Sequence, residues 1–183
     1  MGTRHLIIVK YANKVKVAQY GQWDGYPTGQ GTDIAVFLKK INKPTTLKAF
    51  KKKVARLQFM DDAAVSKLWD KFLPVKYATS RTPDELKYVS MDVANKFYVQ
   101  YPELSREAGA NVLNMINDGK VLYLMDSSLF LKDKLFCEYA YEIDLTKKKV
   151  TVYTGGEHLR TYKFSEFTSA AMKKLEKDLS NDN

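Results

Sequence analysis

Cysteine is almost absent from this 183-residue chain, and the single Cys137 excludes an internal disulfide or a cysteine-built zinc cluster. Histidine is nearly as scarce. His5 and His158 are the only imidazoles, so a metal would have to rest largely on carboxylates. The chain has no G-x-S-x-G and no H-E-x-x-H, and Cys137 has no motif-level partner, which argues against a hydrolytic triad. No apolar run approaches the ~20 residues that span a bilayer, and Leu6 to Val9 is too short for a signal-peptide core. Leu6 also stands where a myristoylation motif wants Ser or Thr. The expectation is a soluble, cytoplasmic protein with no membrane partner. At 45% hydrophobic content the whole chain, residues 1–183, reads as a single globular domain with a frayed tail at 180–183.

Acidic residues are missing altogether between Asp33 and Asp61, where Lys39, Lys40, Lys43, Lys48, Lys51, Lys52, Lys53 and Arg56 all fall. The net charge is +9, with a pI near 9.4. A run of this kind creates a local positive field that attracts polyanions through counterion release. It is also what an ordinary solvated helix face looks like. Twelve tyrosines and nine phenylalanines tilt the balance toward nucleic acid, because aromatic platforms beside basic grooves hold single strands.

Glycine is sparse too, yet three of the nine crowd into Gln22-Trp23-Asp24-Gly25-Tyr26-Pro27-Thr28-Gly29-Gln30-Gly31. Pro27 fixes its own φ and pushes Tyr26 toward extended backbone, so Trp23, Asp24 and Tyr26 should be presented by a constrained bend. The spacing matches neither a P-loop nor a dinucleotide fingerprint.

Strands are expected over Thr3 to Tyr11 and Val15 to Tyr20, joined by a turn at Ala12-Asn13-Lys14. A helix should follow from Thr32, ended by Pro44. A basic helix should start at Thr45 or Thr46 with Leu47, Phe50, Val54 and Leu57 as its buried stripe, and a third helix at Asp61 or Asp62, stopped by Pro74. Thr82-Pro83-Asp84-Glu85 reads as a helix start, and Leu104 to Asn117 as a helix closed by Gly119. The period then changes to two, predicting strands at Val121 to Met125, Phe136 to Leu145 and Lys149 to Tyr153, before a last helix from Ser165. The class is α+β. The N-terminal β-hairpin joins the C-terminal strands in one largely antiparallel sheet, with a helical middle segment packed on it. In that arrangement Arg4, Asp24, Arg106, Asp126, Glu138 and Asp144 could converge near one sheet edge or loop. Glu138, Glu142 and Asp144 would share one strand face.

Three segments carry a family resemblance. Met1-Gly2-Thr3-Arg4-His5-Leu6-Ile7 with Tyr20-Gly21-Gln22-Trp23-Asp24-Gly25-Tyr26-Pro27 is the first. Leu104-Ser105-Arg106-Glu107-Ala108-Gly109-Ala110 is similar to an S-R-D-T-G-A segment, and Leu135 to Leu145 to an L-F-C-E-W-A-Y-x-I-D-L segment, with Tyr139 in place of the tryptophan. Together they resemble a poorly characterised family of phage, bacterial and fungal proteins. A lysine-rich member of this size is similar to phage anti-CRISPR inhibitors of type II RNA-guided nucleases. That resemblance implies a guide RNA and a CRISPR effector nuclease as partners, in the host bacterial cytoplasm, and truncation of the guide as an outcome.

RNA cleavage needs a base for the 2′-hydroxyl, an acid for the leaving oxygen and a cation for the phosphorane. The candidates are Glu138 or Asp24, His5, and Arg4 or Lys16. Asp24, Glu138 and Asp144 could alternatively take a divalent metal. Nucleic-acid binding falls to Lys16, Trp23, Tyr26, Lys48, Lys51, Lys52, Lys53, Arg56 and Arg106. Two other classes compete: a non-catalytic binder that blocks nuclease assembly, and an amide hydrolase using Thr3 as an N-terminal nucleophile.

Overall fold

The computed structural model describes residues 2–71 and 93–181. The expected helix start at Thr82 to Glu85 and the Pro74 stop lie outside the described residues.

Strand β1 (His5–Tyr11) and strand β2 (Lys14–Gly21) form the expected hairpin. Its two-residue turn puts Ala12 at φ 50° and Asn13 at φ 60°, the left-handed pair whose twist matches the flanking strands. Helix α1 (Thr32–Ile41) and helix α2 (Pro44–Arg56) follow. Pro44 does not stop α1 so much as open α2, at the first position, where a missing N–H costs nothing. Strand β3 (Gln58–Met60) leads to helix α3 (Asp62–Asp70), where Asp61 caps the first turn by accepting from the Ala64 amide. Helix α4 is described over 93–100.

The expected helix from Leu104 is shorter than its apolar period suggested: helix α5 spans only Asn111–Asn117. Gly109 sits at φ +49° against the Gln30 side chain, and the Glu107 amide bonds the Ser105 hydroxyl, so the segment before Asn111 is held in turns. Strand β4 (Tyr123–Met125) pairs in parallel with β3. Strand β5 (Tyr139–Asp144) starts three residues later than expected, because Asp133 caps the Leu135 and Phe136 amides in a turn. Strand β6 (Lys149–Thr154) is joined through Gly155 and Gly156, both at positive φ, to strand β7 (Glu157–Lys163), which the sequence reading overlooked. Helix α6 (Ser169–Asn181) begins after Thr168, whose hydroxyl accepts the Ala171 amide, four residues beyond the expected Ser165 start.

The main sheet has the order β2-β1-β5-β6-β7, with β1 and β5 parallel and the other neighbours antiparallel. This is the expected α+β arrangement. Alternation sends Ile7, Val9, Val17, Tyr141, Ile143, Val150 and Val152 to one face. There they meet Phe37 and Leu38 of α1, Phe50 and Val54 of α2, Leu113 of α5 and Met172 of α6. Leu6, Ile8 and Ala140 point the other way, under Phe130 and Leu131 of a short 3-10 turn, Ser128–Lys132. Among the described residues no helix is long and apolar enough to cross a membrane.

Candidate nucleic-acid interface

The glycine-rich bend is tied down along its whole length. The Gly25 amide donates to the Thr3 carbonyl at 3.0 Å and the Gln30 amide to the Asp24 carbonyl at 2.9 Å. The buried Tyr141 hydroxyl donates to the Gly25 carbonyl at 2.8 Å. Gln30 accepts from the Ala110 amide, and Glu176 of α6 accepts from both the amide and the hydroxyl of Thr28. Asp24 takes φ 61°, a conformation that its neighbours must enforce. From this scaffold Trp23 and Tyr26 project half into solvent, at 50% and 45% exposure. Tyr26 lies 5.9 Å from Tyr139, ring centre to ring centre.

The four residues assigned to chemistry separate into three environments. Glu138 is fastened to Arg4, accepting the Arg4 amide at 3.0 Å and facing its Nε at 3.6 Å, while the guanidinium lies 4.3 Å over the Phe136 ring. His5 points to the opposite face and is 1% exposed, packed so tightly on Gly21 that a β-carbon there would come within 2.1 Å of the imidazole. Among the described residues neither ring nitrogen has a well-formed hydrogen bond, and burial lowers its pKa to about 4, only partly opposed by the nearby Thr3 backbone. Asp24 neighbours Asp33, whose own carboxyl is pushed up by burial and by the Asp24 charge. Thr3 is itself buried.

The wider convergence expected of the carboxylates is only partial. Asp126 accepts the Ser128 amide beside β2. Asp144 caps the Thr146 and Lys147 amides at the far end of β5, roughly 17 Å along the strand from Tyr139. Glu142 is paired with Lys10 at 2.8 Å. Among the described residues no three His, Cys, Asp or Glu side chains stand together as a metal-binding group.

The basic residues divide as well. Lys48 and Lys52 face outward from α2, Lys51 leans over the Tyr11 ring at 5.9 Å, and Lys53 bonds the Asn117 carbonyl. This places the lysine helix beside the β1–β2 turn, whereas Trp23 follows the other end of β2. The proposed neighbourhood of lysines and bend is therefore not direct. Between the two ends lies a row of cavities that share lining residues, which we call the groove. At the turn end, Lys16 donates to the Leu57 carbonyl at 2.6 Å and lines a cavity of about 450 Å³ with Arg56 and Tyr123. The next cavity, about 290 Å³, shares Tyr123 and adds Tyr101 and Lys120. Beyond Leu104 another of about 290 Å³ holds Tyr20, Tyr98 and Arg106, and a shallower one of about 700 Å³ continues past Arg106. The Arg106 carbonyl accepts the Gln22 amide at 3.0 Å, which brings the groove to the foot of the bend. From Lys16 to Gln22 the track is roughly 20 Å long.

Lys16 and Arg56 line the first of these cavities and Arg106 the last two, together with Tyr98, Tyr101, Lys120 and Tyr123, which the sequence alone did not single out. The one signal for Tyr123 was the alternation around Leu124, whose burial in the core turns Tyr123 and Met125 outward. No protein-family model matches the chain, nor does any curated protein or solved structure.

Proposed function

We propose that the protein binds single-stranded RNA along this groove and, by engaging the guide RNA, inhibits a type II RNA-guided nuclease in the host bacterial cytoplasm. The observation that supports RNA is that each of these cavities is lined by both a cation and a tyrosine: Arg56 and Tyr123, Lys120 and Tyr101, Arg106 and Tyr98. Guanidinium and ammonium groups track phosphates, and ring faces stack bases of any identity. The guide RNA and the nuclease come from the resemblance of the loop, Ser105–Ala110 and Leu135–Leu145 segments.

Holding the guide suits the geometry better than cutting it. A histidine at about 4 carries no proton to give at neutral pH, and His5 is buried. Glu138 is already engaged by Arg4. Incubating the purified protein with labelled guide RNA, with and without nuclease and EDTA, decides the matter. Retarded RNA of unchanged length is expected, with loss of nuclease activity. Shortened RNA refutes the binding mechanism, and RNA that is neither retarded nor shortened removes the reading altogether.

A further inference from the structure

The middle cavity of the groove differs chemically from its neighbours. Its lining is largely apolar, with Met60, Leu68, Leu104 and Leu122, and it includes Tyr101 and Tyr123. Among the described lining residues Glu103 is the one carboxylate and Lys120 the one ammonium. At about 290 Å³ the volume sits at the small end of ligand pockets, near about 300 Å³, which suits a single planar ring system better than a folded oligomer. Burial also pushes the Glu103 carboxyl above its ordinary range, partly opposed by a hydrogen bond from its own backbone amide, and further donors from a ligand would favour the ionised form.

An ionised carboxylate offers acceptors only. Guanine alone among the four RNA bases presents two adjacent donors on its Watson–Crick edge, N1–H and the N2 amine. Cytosine and adenine each offer one amine beside a ring acceptor, and uracil one N–H between two carbonyls. The pairings therefore rank guanine well ahead of the rest. A tyrosine face supplies stacking that every base shares, and the Lys120 ammonium in the same lining suits a phosphate.

Building on the RNA reading, we infer that this cavity takes one unstacked guanine base, its N1–H and N2 amine donating to the Glu103 carboxylate. Binding in the groove is then tolerant of sequence except at one position. The pairing resembles other bidentate readouts, each of which separates the right base from the wrong one by roughly tenfold or more.

The test uses the whole protein and short labelled oligouridylates carrying one central guanine, adenine, cytosine or hypoxanthine, followed by fluorescence anisotropy. Guanine should bind roughly tenfold tighter than adenine or cytosine, with hypoxanthine between, since it lacks the N2 amine. Glu103→Gln should erase that preference without changing the salt dependence, and its melting temperature shows whether the fold is kept. Tyr123→Ala should weaken all four probes alike. Equal binding of the four probes with a steep salt dependence would overturn the guanine pocket while leaving the RNA groove in place. Retention of the preference in Glu103→Gln overturns it too. Absence of binding by every probe strikes the groove itself.

Discussion

Replacing Arg56, Arg106 and Lys120 together with serine isolates the electrostatic part of the proposed interface. All three side chains line the connected cavities and are exposed. Lys16 is deliberately left in place, because its ammonium closes the C-terminus of α2 through the Leu57 carbonyl and its loss would mix stability with binding. Each phosphate neutralised on a single strand contributes about 0.7 to the slope of log K against log salt, so the triple variant should lower that slope by about 2. Carried from 1 M to about 0.15 M salt, the same relation gives roughly 40-fold weaker binding. The assay is anisotropy of a short unstructured RNA across a salt series, with Lys48→Ser and Lys52→Ser combined as the comparison. Those two lysines face solvent on α2 and line none of the described cavities, so the pair should leave the slope within about 0.3 of the parent. The reverse pattern, a steep loss for the lysine pair and none for the triple variant, would move the binding surface to the outer face of α2 and refute the groove.

Acid stability should report His5. Its pKa is about 4 in the fold and 6.5 as the free side chain, so the unfolded chain takes up the proton first as pH falls. Stability is full above about 6.5 and is lost progressively down to about 4, by roughly 3 kcal/mol, and His5→Leu should flatten that limb in urea titrations at several pH values. Tyr141→Phe leaves the Gly25 carbonyl without its 2.8 Å donor and should cost about 1–2 kcal/mol in denaturant unfolding while leaving the salt slope of RNA binding unchanged. Cys137 is 0% exposed and burial pushes its thiol up to about 11, so iodoacetamide should label it only in denaturant; rapid labelling of the folded protein would contradict its place under Phe130 and Leu131.

Local chemistry made much of the fold legible. The hairpin, α1, α2 and α3 follow from apolar spacing, from the Asp61 cap and from the two left-handed residues at Ala12 and Asn13, all of which act within a few residues of themselves. The failures occur where a distant side chain overrides the local pattern. Residues 104–110 have helical spacing, yet Gln30 packs against Gly109 and accepts the Ala110 amide, holding the segment in turns. β7 is largely exposed, so it lacks the apolar alternation that reveals a half-buried strand, and only the Gly155-Gly156 pair announced it.

The same distinction explains the candidate site. Charge is a property of composition, and its excess between Asp33 and Asp61 is visible before any folding. Where each charge goes is decided by packing. The buried stripe of Leu47, Phe50 and Val54 fixes the rotation of α2, and that rotation sends Lys51 to Tyr11, Lys53 to the Asn117 carbonyl and Arg56 to the groove. The groove itself is assembled from β2, the end of α2, β4 and the 101–106 segment, four pieces remote in sequence. A run of lysines therefore announced a positive field, while the tyrosines of the proposed interface are brought to one side only by the burial of Leu124 and the pairing of β4 with β3.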